Sequence, residues 1–311
     1  MTLRSTISTR EGKRRYVRGL FATIADRYDF ITSFLSYGQD RRWKERLIEL
    51  AAISPADRVL DLACGTGDLL FAAASRAKYA VGLDLTHRML QLAKQRQERV
   101  PVVRGDMLAL PLAASGFNVV TTGYGLRNVP DLEQAIAEIH RVLAPGGRAL
   151  SLDFNRPSNP LVRAAYLAYL TMVGSALGLV LHGDPNTYRY IPESIRQYPG
   201  AAGVARLMER AGFVDVRVLS VFGGFMAIHV ARKPLPFDLS FQPGPERLEQ
   251  EREDVLLGDG VGRGARPDRT LFVNRARAAC MTNPAHDLGR VGHSIERKLD
   301  VVVSAAVRRE P

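Results

Sequence analysis

Cysteine is nearly absent, with two residues in 311, Cys64 and Cys280. That excludes a disulfide framework and fits a reducing, cytoplasmic setting. No cluster of His, Cys and acidic residues has metal-ligand spacing, so no metal is expected. Internal repeats are lacking, which excludes a solenoid or propeller. The first residues, MTLRSTISTREGKRR, have no apolar segment, so a secretory signal is not expected. Long apolar runs are missing too, with one exception. Ala164–Leu181, AAYLAYLTMVGSALGLVL, carries no charge over 18 residues and contains Gly174-x-x-x-Gly178. That is near the lower limit for a spanning helix. Its richness in Ala, Gly, Ser, Thr and Tyr, and its place mid-chain without a second span, favour a buried or membrane-facing helix.

What is present is globular in character, with 46% hydrophobic and 24% charged residues. The net charge of +11 is uneven. After Lys233, 12 Lys+Arg stand against 12 Asp+Glu, so the whole excess lies on residues 1–233. Such a surface attracts nucleic acid, anionic headgroups or an anionic cofactor. The aromatic-and-basic segments of a nucleic-acid binder are missing outside the patterned part of the chain, so no nucleic-acid partner is expected.

Gly19–Leu50 has helical periodicity, and Ser54-Pro55 ends it. Strands are then expected at Arg58–Leu62, Tyr79–Leu83, Val102–Val103, Phe117–Thr122 and Arg148–Phe154. Helices fall between them at Asp68–Arg76, Arg88–Arg99 and Leu132–Leu143. Strands alternating with helices imply right-handed crossovers and a parallel sheet covered on both faces. A helix at Ala202–Ala211 and a strand pair, Val214–Val221 and Phe225–Val230, close the pattern. Residues 1–13 read as a flexible lead and residues 14–233 as one α/β domain. Residues 234–311 read as a mostly disordered extension, with short apolar runs only at Thr270–Val273 and Leu299–Val307.

Val59–Leu69, VLDLACGTGDL, sets an acid, Asp61, on the first strand and Gly65-x-Gly67 at the start of a helix. A glycine turn lets a ligand approach the backbone, and a helix N-terminus offers unpaired N–H groups. The spacing is not G-x-G-x-x-G, because Leu70 stands at the third glycine position; this argues against a nicotinamide dehydrogenase. A carboxylate there would repel a pyrophosphate but suits the cationic amino-acid end of S-adenosylmethionine. The next strand ends in Asp84, 19 residues after Gly65, where a ribose-binding carboxylate belongs. The third ends at Asp106-Met107, suited to the adenine amino group and ring. One strand-end acid could be merely solvated; three on successive strands beside one glycine loop define a ligand site.

Beyond these motifs the chain, across about Arg14–Lys233, resembles the quinone-biosynthesis C-methyltransferases, the demethylmenaquinone methyltransferase and polyprenyl-benzoquinol methylase (UbiE/MenG) family. The resembling blocks are YDFITSFLSYGQDRRWK, DLACGTGDL, GDMLALPL, GYGLRNVPDLEQAI, RVLAPGGR and DPNTYRYIPESIRQYPG. Gly125–Asn128 and Tyr188–Arg196 are the specific ones. The resemblance implies a Rossmann-like class I methyltransferase fold, α/β, with a seven-stranded, mostly parallel sheet and helices on both faces. It implies a lid, at about residues 155–200, over a quinone pocket. It also implies S-adenosylmethionine contacts at Thr66, Asp84, Asp106, Met107 and Gly123. Thr32, Asn118 and Gly123 stand where the family usually has Asn, Asp and Ser.

Methylating a ring carbon requires a deprotonated neighbouring hydroxyl, hence a proton acceptor and an oxyanion stabiliser. Arg127, permanently charged, is the expected stabiliser. A water on Arg127 and Asn128 would take the proton, with Tyr28 and Tyr188 on the quinol oxygens. The alternative for Arg127 is a pairing with Asp131, and for the tyrosines packing. His140 and His182 are weaker candidates for the base. The expected partner is a polyprenyl quinol, met by transient association with the inner face of the cytoplasmic membrane. Ala164–Leu181 would serve as a greasy way in for the tail or as a homodimer contact.

Overall fold

A computed structural model describes residues 3–236. The extension expected from Pro234 onward, with its two short apolar runs, lies outside the described residues beyond Pro236.

Seven strands form one sheet: β1 (Arg58–Leu62), β2 (Tyr79–Asp84), β3 (Val102–Arg104), β4 (Phe117–Gly123), β5 (Leu143–Phe154), β6 (Val214–Val221) and β7 (Met226–Arg232). Their order is β3-β2-β1-β4-β5-β7-β6. All neighbours are parallel except β7, which is antiparallel to both β5 and β6. The central strands are buried along nearly their whole length, as strands covered on both faces must be. Helix α5 (Asp68–Ala74) links β1 to β2, and α6 (His87–Arg96) links β2 to β3, moving the chain one way across the sheet. Helix α7 (Leu132–Val142) links β4 to β5 in the other direction. Right-handed crossovers running in opposite directions put their helices on opposite faces. They also open a crevice where the direction reverses, at the carboxyl ends of β1 and β4.

Gly19–Leu50 is not one helix. It divides into the end of α2 (Arg10–Ile24), α3 (Tyr28–Leu35) and α4 (Asp40–Ala51). A 3-10 turn at Ala25–Arg27 makes the first break, and the second carries positive φ at Tyr37 and Gly38, +51° and +72°. Residues 1–13 were expected to form a flexible lead; from Leu3 onward the structure places them in helices and a packed turn. A short helix, α1 (Leu3–Thr6), precedes α2, whose first turn is capped by the Thr9 side chain accepting from Gly12 N–H. Ile7 is buried with Val17 against Tyr190, and Lys13 donates to the Arg127 carbonyl at 3.0 Å. Two apolar residues in a polar segment supply the anchoring that composition concealed.

The uncharged stretch forms α8 (Pro160–His182), capped by Asn159 at its start and by Gly183 in the left-handed region at its end. Among the described residues it is the helix long and apolar enough to cross a membrane. After it come α9 (Tyr190–Gln197) and α10 (Gly200–Arg210). Its Gly174-x-x-x-Gly178 does not await a second helix. A Cβ on Gly174 would lie 3.2 Å from the Tyr188 Cβ, and one on Gly178 only 2.4 Å from the Asp184 carbonyl. The small residues let the chain's own 184–188 loop pack against the helix.

Candidate active site

The turn from β1 into α5 carries three positive φ values: Ala63 at +51°, Gly65 at +55° and Gly67 at +98°. Gly67 also packs so tightly that a Cβ would stand 2.4 Å from the Phe71 ring, so it shapes the turn rather than lining the cleft. Asp84, at the end of β2, clamps this loop. Its two oxygens accept from Gly65 N–H at 3.0 Å and Thr86 N–H at 2.7 Å. Burial raises its pKa against the pull of those donors. Asp61 lies deeper, accepting from the Thr121 hydroxyl at 2.7 Å. Burial pushes its pKa up to about 7.

A cleft of about 710 Å³ opens here at the carboxyl edge of the sheet, lined by Gly65, Asp84, Asp106, Met107, Gly123 and Asn128 among others. Asp106 pairs with Arg14 at 2.9 Å and accepts from Leu108 N–H. A Cβ on Gly123 would meet only the movable end of Leu69, Cδ1 at 2.9 Å, so packing leaves room there for the serine usual at this position. A smaller recess of about 320 Å³ adjoins the cleft and holds Asp61, Thr66, Asp68 and Lys44. The Thr66 hydroxyl is committed to Asp29. Lys44 pairs with Asp40 at 2.6 Å and Asp68 at 2.8 Å. Burial works to lower its pKa, but the two carboxylates outweigh that and hold it above its ordinary value. Two carboxyl groups, Asp61 and Asp68, and the charged Lys44 line this one recess, which offers acceptors for an ammonium and a cation for a carboxylate, the two ends of a zwitterionic amino acid. The left-handed glycine turn, the Asp84 carboxylate and this recess together fit S-adenosylmethionine.

A second cleft of about 850 Å³ is largely apolar, walled by Ile31, Leu35, Trp43, Tyr166 and Leu170 and including Arg127, Tyr188 and Tyr190. Part of its wall comes from α8 and α9, within residues 155–200. Tyr28 and Tyr124 line both clefts, so the two spaces meet between them. Burial raises the Tyr28 pKa to about 12, keeping it a hydrogen-bond donor. Tyr124 is held in the left-handed region at φ +59°, an uncommon conformation for an aromatic residue that marks a constrained site. Its hydroxyl donates to the buried Asp40 carboxylate.

Arg127 is buried in this second cleft. Its Nε lies 3.2 Å from Asp153, its Nη1 donates to Asn128 and Ser194, and its guanidinium sits 4.8 Å from the Phe154 ring centre. The partner is therefore Asp153 and not Asp131, which caps α7 by accepting from Gln134 N–H. Asn128 lines the cofactor cleft, and its amide donates to the Tyr124 carbonyl at 2.6 Å. Tyr188 lines the apolar cleft, but its hydroxyl is bonded to His182 Nε2 at 2.8 Å. The hydroxyl of Tyr190, in contrast, is buried with no hydrogen-bond partner. His140 stacks edge-on against Phe213 at 4.9 Å and lines neither cleft. The structure thus brings Asp61, Gly65, Thr66, Asp84, Asp106, Met107 and Gly123 to one edge, and Tyr28, Arg127 and Tyr188 to the neighbouring cleft. Lys44, Asp40, Tyr124 and Tyr190 were not singled out by spacing. Each lies inside a quoted motif block, yet its role depends on partners far away in sequence.

Asp61 yields a pH prediction. Its folded pKa is raised, so ionised Asp61 costs the empty protein stability, and that cost grows as pH rises from about 4 to about 7. A cofactor ammonium offsets it. Binding of S-adenosylhomocysteine, followed by calorimetry, should weaken as pH falls below about 7, and Asp61→Asn should flatten that limb.

A doubly wound sheet in the order β3-β2-β1-β4-β5-β7-β6, with this cleft at its carboxyl edge, defines a class I S-adenosylmethionine-dependent methyltransferase. An S-adenosylmethionine-dependent methyltransferase of Thermotoga maritima, described as a possible histamine N-methyltransferase, shares the fold. Its TM-score is 0.52 at 19% identity, over 70% of this chain and 99% of that one. The chain belongs to the ubiE/COQ5 methyltransferase family, whose profile matches residues 9–233. It is 40% identical over 218 residues to a demethylmenaquinone methyltransferase of Mycolicibacterium gilvum, covering 70% of this chain and 95% of that protein. It is 39% identical over 221 residues to that of Thermus thermophilus, covering 69% and 100%. A ubiquinone/menaquinone biosynthesis C-methyltransferase of Dinoroseobacter shibae is 38% identical over 227 residues, covering 70% and 91%. The family, the fold and the methyltransferase activity expected from the sequence are borne out.

Proposed function

We propose that this chain methylates a ring carbon of a polyprenyl quinol, with demethylmenaquinol as substrate, at the inner face of the cytoplasmic membrane. One observation carries the reading. An apolar, aromatic-lined cleft containing a buried arginine meets the cofactor cleft at Tyr28 and Tyr124. The relatives named as demethylmenaquinone methyltransferases favour the naphthoquinol.

When bound, S-adenosylmethionine supplies an electrophilic methyl group on a sulfonium. Asp84 would hold its ribose hydroxyls, and Lys44 and Asp61 its amino-acid end. The rest falls to residues of the second cleft. Arg127, oriented by Asp153, Asn128 and Ser194, stabilises the quinol oxyanion. Tyr190 offers its unpaired hydroxyl to a quinol oxygen. The proton acceptor lies at the junction, where Tyr124 already donates to Asp40. A quinol proton received by Tyr124 moves that residue's own proton to Asp40. The ring carbon that takes the methyl then gives up its hydrogen as a proton to the neighbouring oxyanion, which restores the aromatic quinol, so one proton leaves per methyl transferred. Aromatic walls exclude water from the oxyanion.

Tyr190→Phe separates function from stability. An unpaired buried hydroxyl costs about 1–3 kcal/mol, so the variant should melt no lower than wild type. Its KM for the quinol should nevertheless rise about tenfold, the loss of roughly one hydrogen bond. A lower Tm with unchanged KM would remove Tyr190 from the site. The substrate assignment is tested by competition between demethylmenaquinol and a polyprenyl benzoquinol of equal tail length. The naphthoquinol should be consumed with the higher kcat/KM; the reverse would reassign the substrate.

A further inference from the structure

Helix α8 turns an unbroken apolar stripe outward. Its exposed positions Leu161, Ala165, Ala168, Met172, Ala176 and Leu179 recur every three or four residues, the spacing of one helix face. None is polar. Met172 is 68% exposed and Val180, beside Leu179, is 80% exposed. At 1.5 Å rise per residue the stripe is about 27 Å long. The opposite face packs inward through Leu167, Leu170, Gly174 and Gly178, so the helix is fixed to its own domain along its length.

Helix α3 runs beside it. Arg27 donates to the Leu181 carbonyl at one end, the Tyr37 and Tyr169 hydroxyls bond at the other, and Ile31 and Leu35 share a cluster with Leu177 between. From α3, Phe30 and Phe34 stand exposed. Cations bracket the stripe. No acidic residue occurs between Asp153 and Asp184, and Arg156 and Arg163 flank its start. At its end exposed Arg27 and Arg189 outnumber exposed Asp184, and Asp26 and Asp29 beside α3 pair with Arg88 and Arg96. The apolar cleft is bounded by these same helices, through Ile31 and Leu35 on α3 and Tyr166, Tyr169 and Leu170 on α8.

We propose that the outward face of α8, together with α3, seats in the headgroup–acyl boundary of an anionic bilayer. An apolar stripe bracketed by basic residues is built for that depth, the stripe meeting acyl chains and the arginines meeting phosphates. The cleft then opens toward the lipid, and a prenyl tail remains in the acyl layer while its ring enters the site. That last consequence rests on the quinol reading; the docking itself does not.

The test uses the full chain and vesicles of phosphatidylcholine with increasing phosphatidylglycerol, without quinol. Sedimentation should carry the protein down with the anionic vesicles, less so at high salt. A Met172→Glu, Leu179→Glu double variant, altered only at exposed positions, should bind at least about tenfold less, because it sets two charges in the acyl region. Val218→Glu, on exposed β6, should bind like wild type. The double variant should still methylate a short-chain soluble quinol while losing turnover of a polyprenyl quinol in vesicles. Wild type left in the supernatant, or equal binding by the double variant, would overturn the proposal. So would a dimer that the substitutions split while vesicle binding is unchanged, which would assign the face to a second copy. Vesicle binding without methylation of any quinol would overturn the substrate reading alone.

Discussion

Arg127→Lys is expected to lower kcat by about 10²- to 10³-fold while cofactor affinity, measured by calorimetry, stays within twofold of wild type. The guanidinium is a planar fork, and its Nη1 spans Asn128 and Ser194 while its Nε faces Asp153. A lysine keeps the charge but cannot reproduce that orientation. The conservative variant matters because Arg127→Met would leave Asp153 buried and unpaired. Such a loss costs roughly 3–5 kcal/mol and would confuse unfolding with catalysis. With lysine, the Tm should fall modestly and the quinol turnover steeply. Turnover equal to wild type would remove Arg127 from the chemistry and leave it a structural ion pair.

Asp84→Asn is expected to weaken cofactor binding by roughly 10²- to 10⁴-fold, with kcat at saturation much less affected. The carboxylate would accept two ribose hydroxyls, each a charge-assisted bond worth about 1.5–3 kcal/mol. It also clamps the glycine loop by accepting from Gly65 and Thr86 N–H groups. An amide nitrogen can do neither, so both effects act in the same direction. Calorimetry with S-adenosylhomocysteine reads the loss directly. Unchanged affinity would place the ribose elsewhere.

The cofactor half of the site was legible because it is local. Asp61 is the penultimate residue of β1, β2 ends in Asp84, Asp106 lies two residues past β3, and the glycine turn follows the first of these acids. Short continuous apolar runs and turn residues disclose all of this without tertiary information. The substrate half is assembled from distant residues, Ile31, Arg127, Tyr166 and Tyr190 among them, and no local pattern announces their meeting. Asp131, near in sequence, was the alternative partner for Arg127; capping α7 claims it, and Asp153 on β5 pairs with the guanidinium. Tyr188 and Tyr190 are indistinguishable in the string YRY. Only packing shows that the first is bonded to His182 and the second left free. The polar N-terminus concealed Ile7 and Val17, which hold it against Tyr190. The glycines of α8 fitted a helix dimer as well as the loop at Asp184–Tyr188 that they receive.

The central claim is that the donor in the cleft at Asp84 methylates a quinol carbon held beside Tyr28, Tyr124 and Arg127. The direct measurement is transfer of label from methyl-labelled S-adenosylmethionine to demethylmenaquinol, with the product identified by mass and by the position of the new methyl. The account predicts one labelled methyl on the ring carbon of the reduced naphthoquinol and none with the oxidised quinone. Label on oxygen, or no transfer to any quinol by protein that binds the donor, would contradict it.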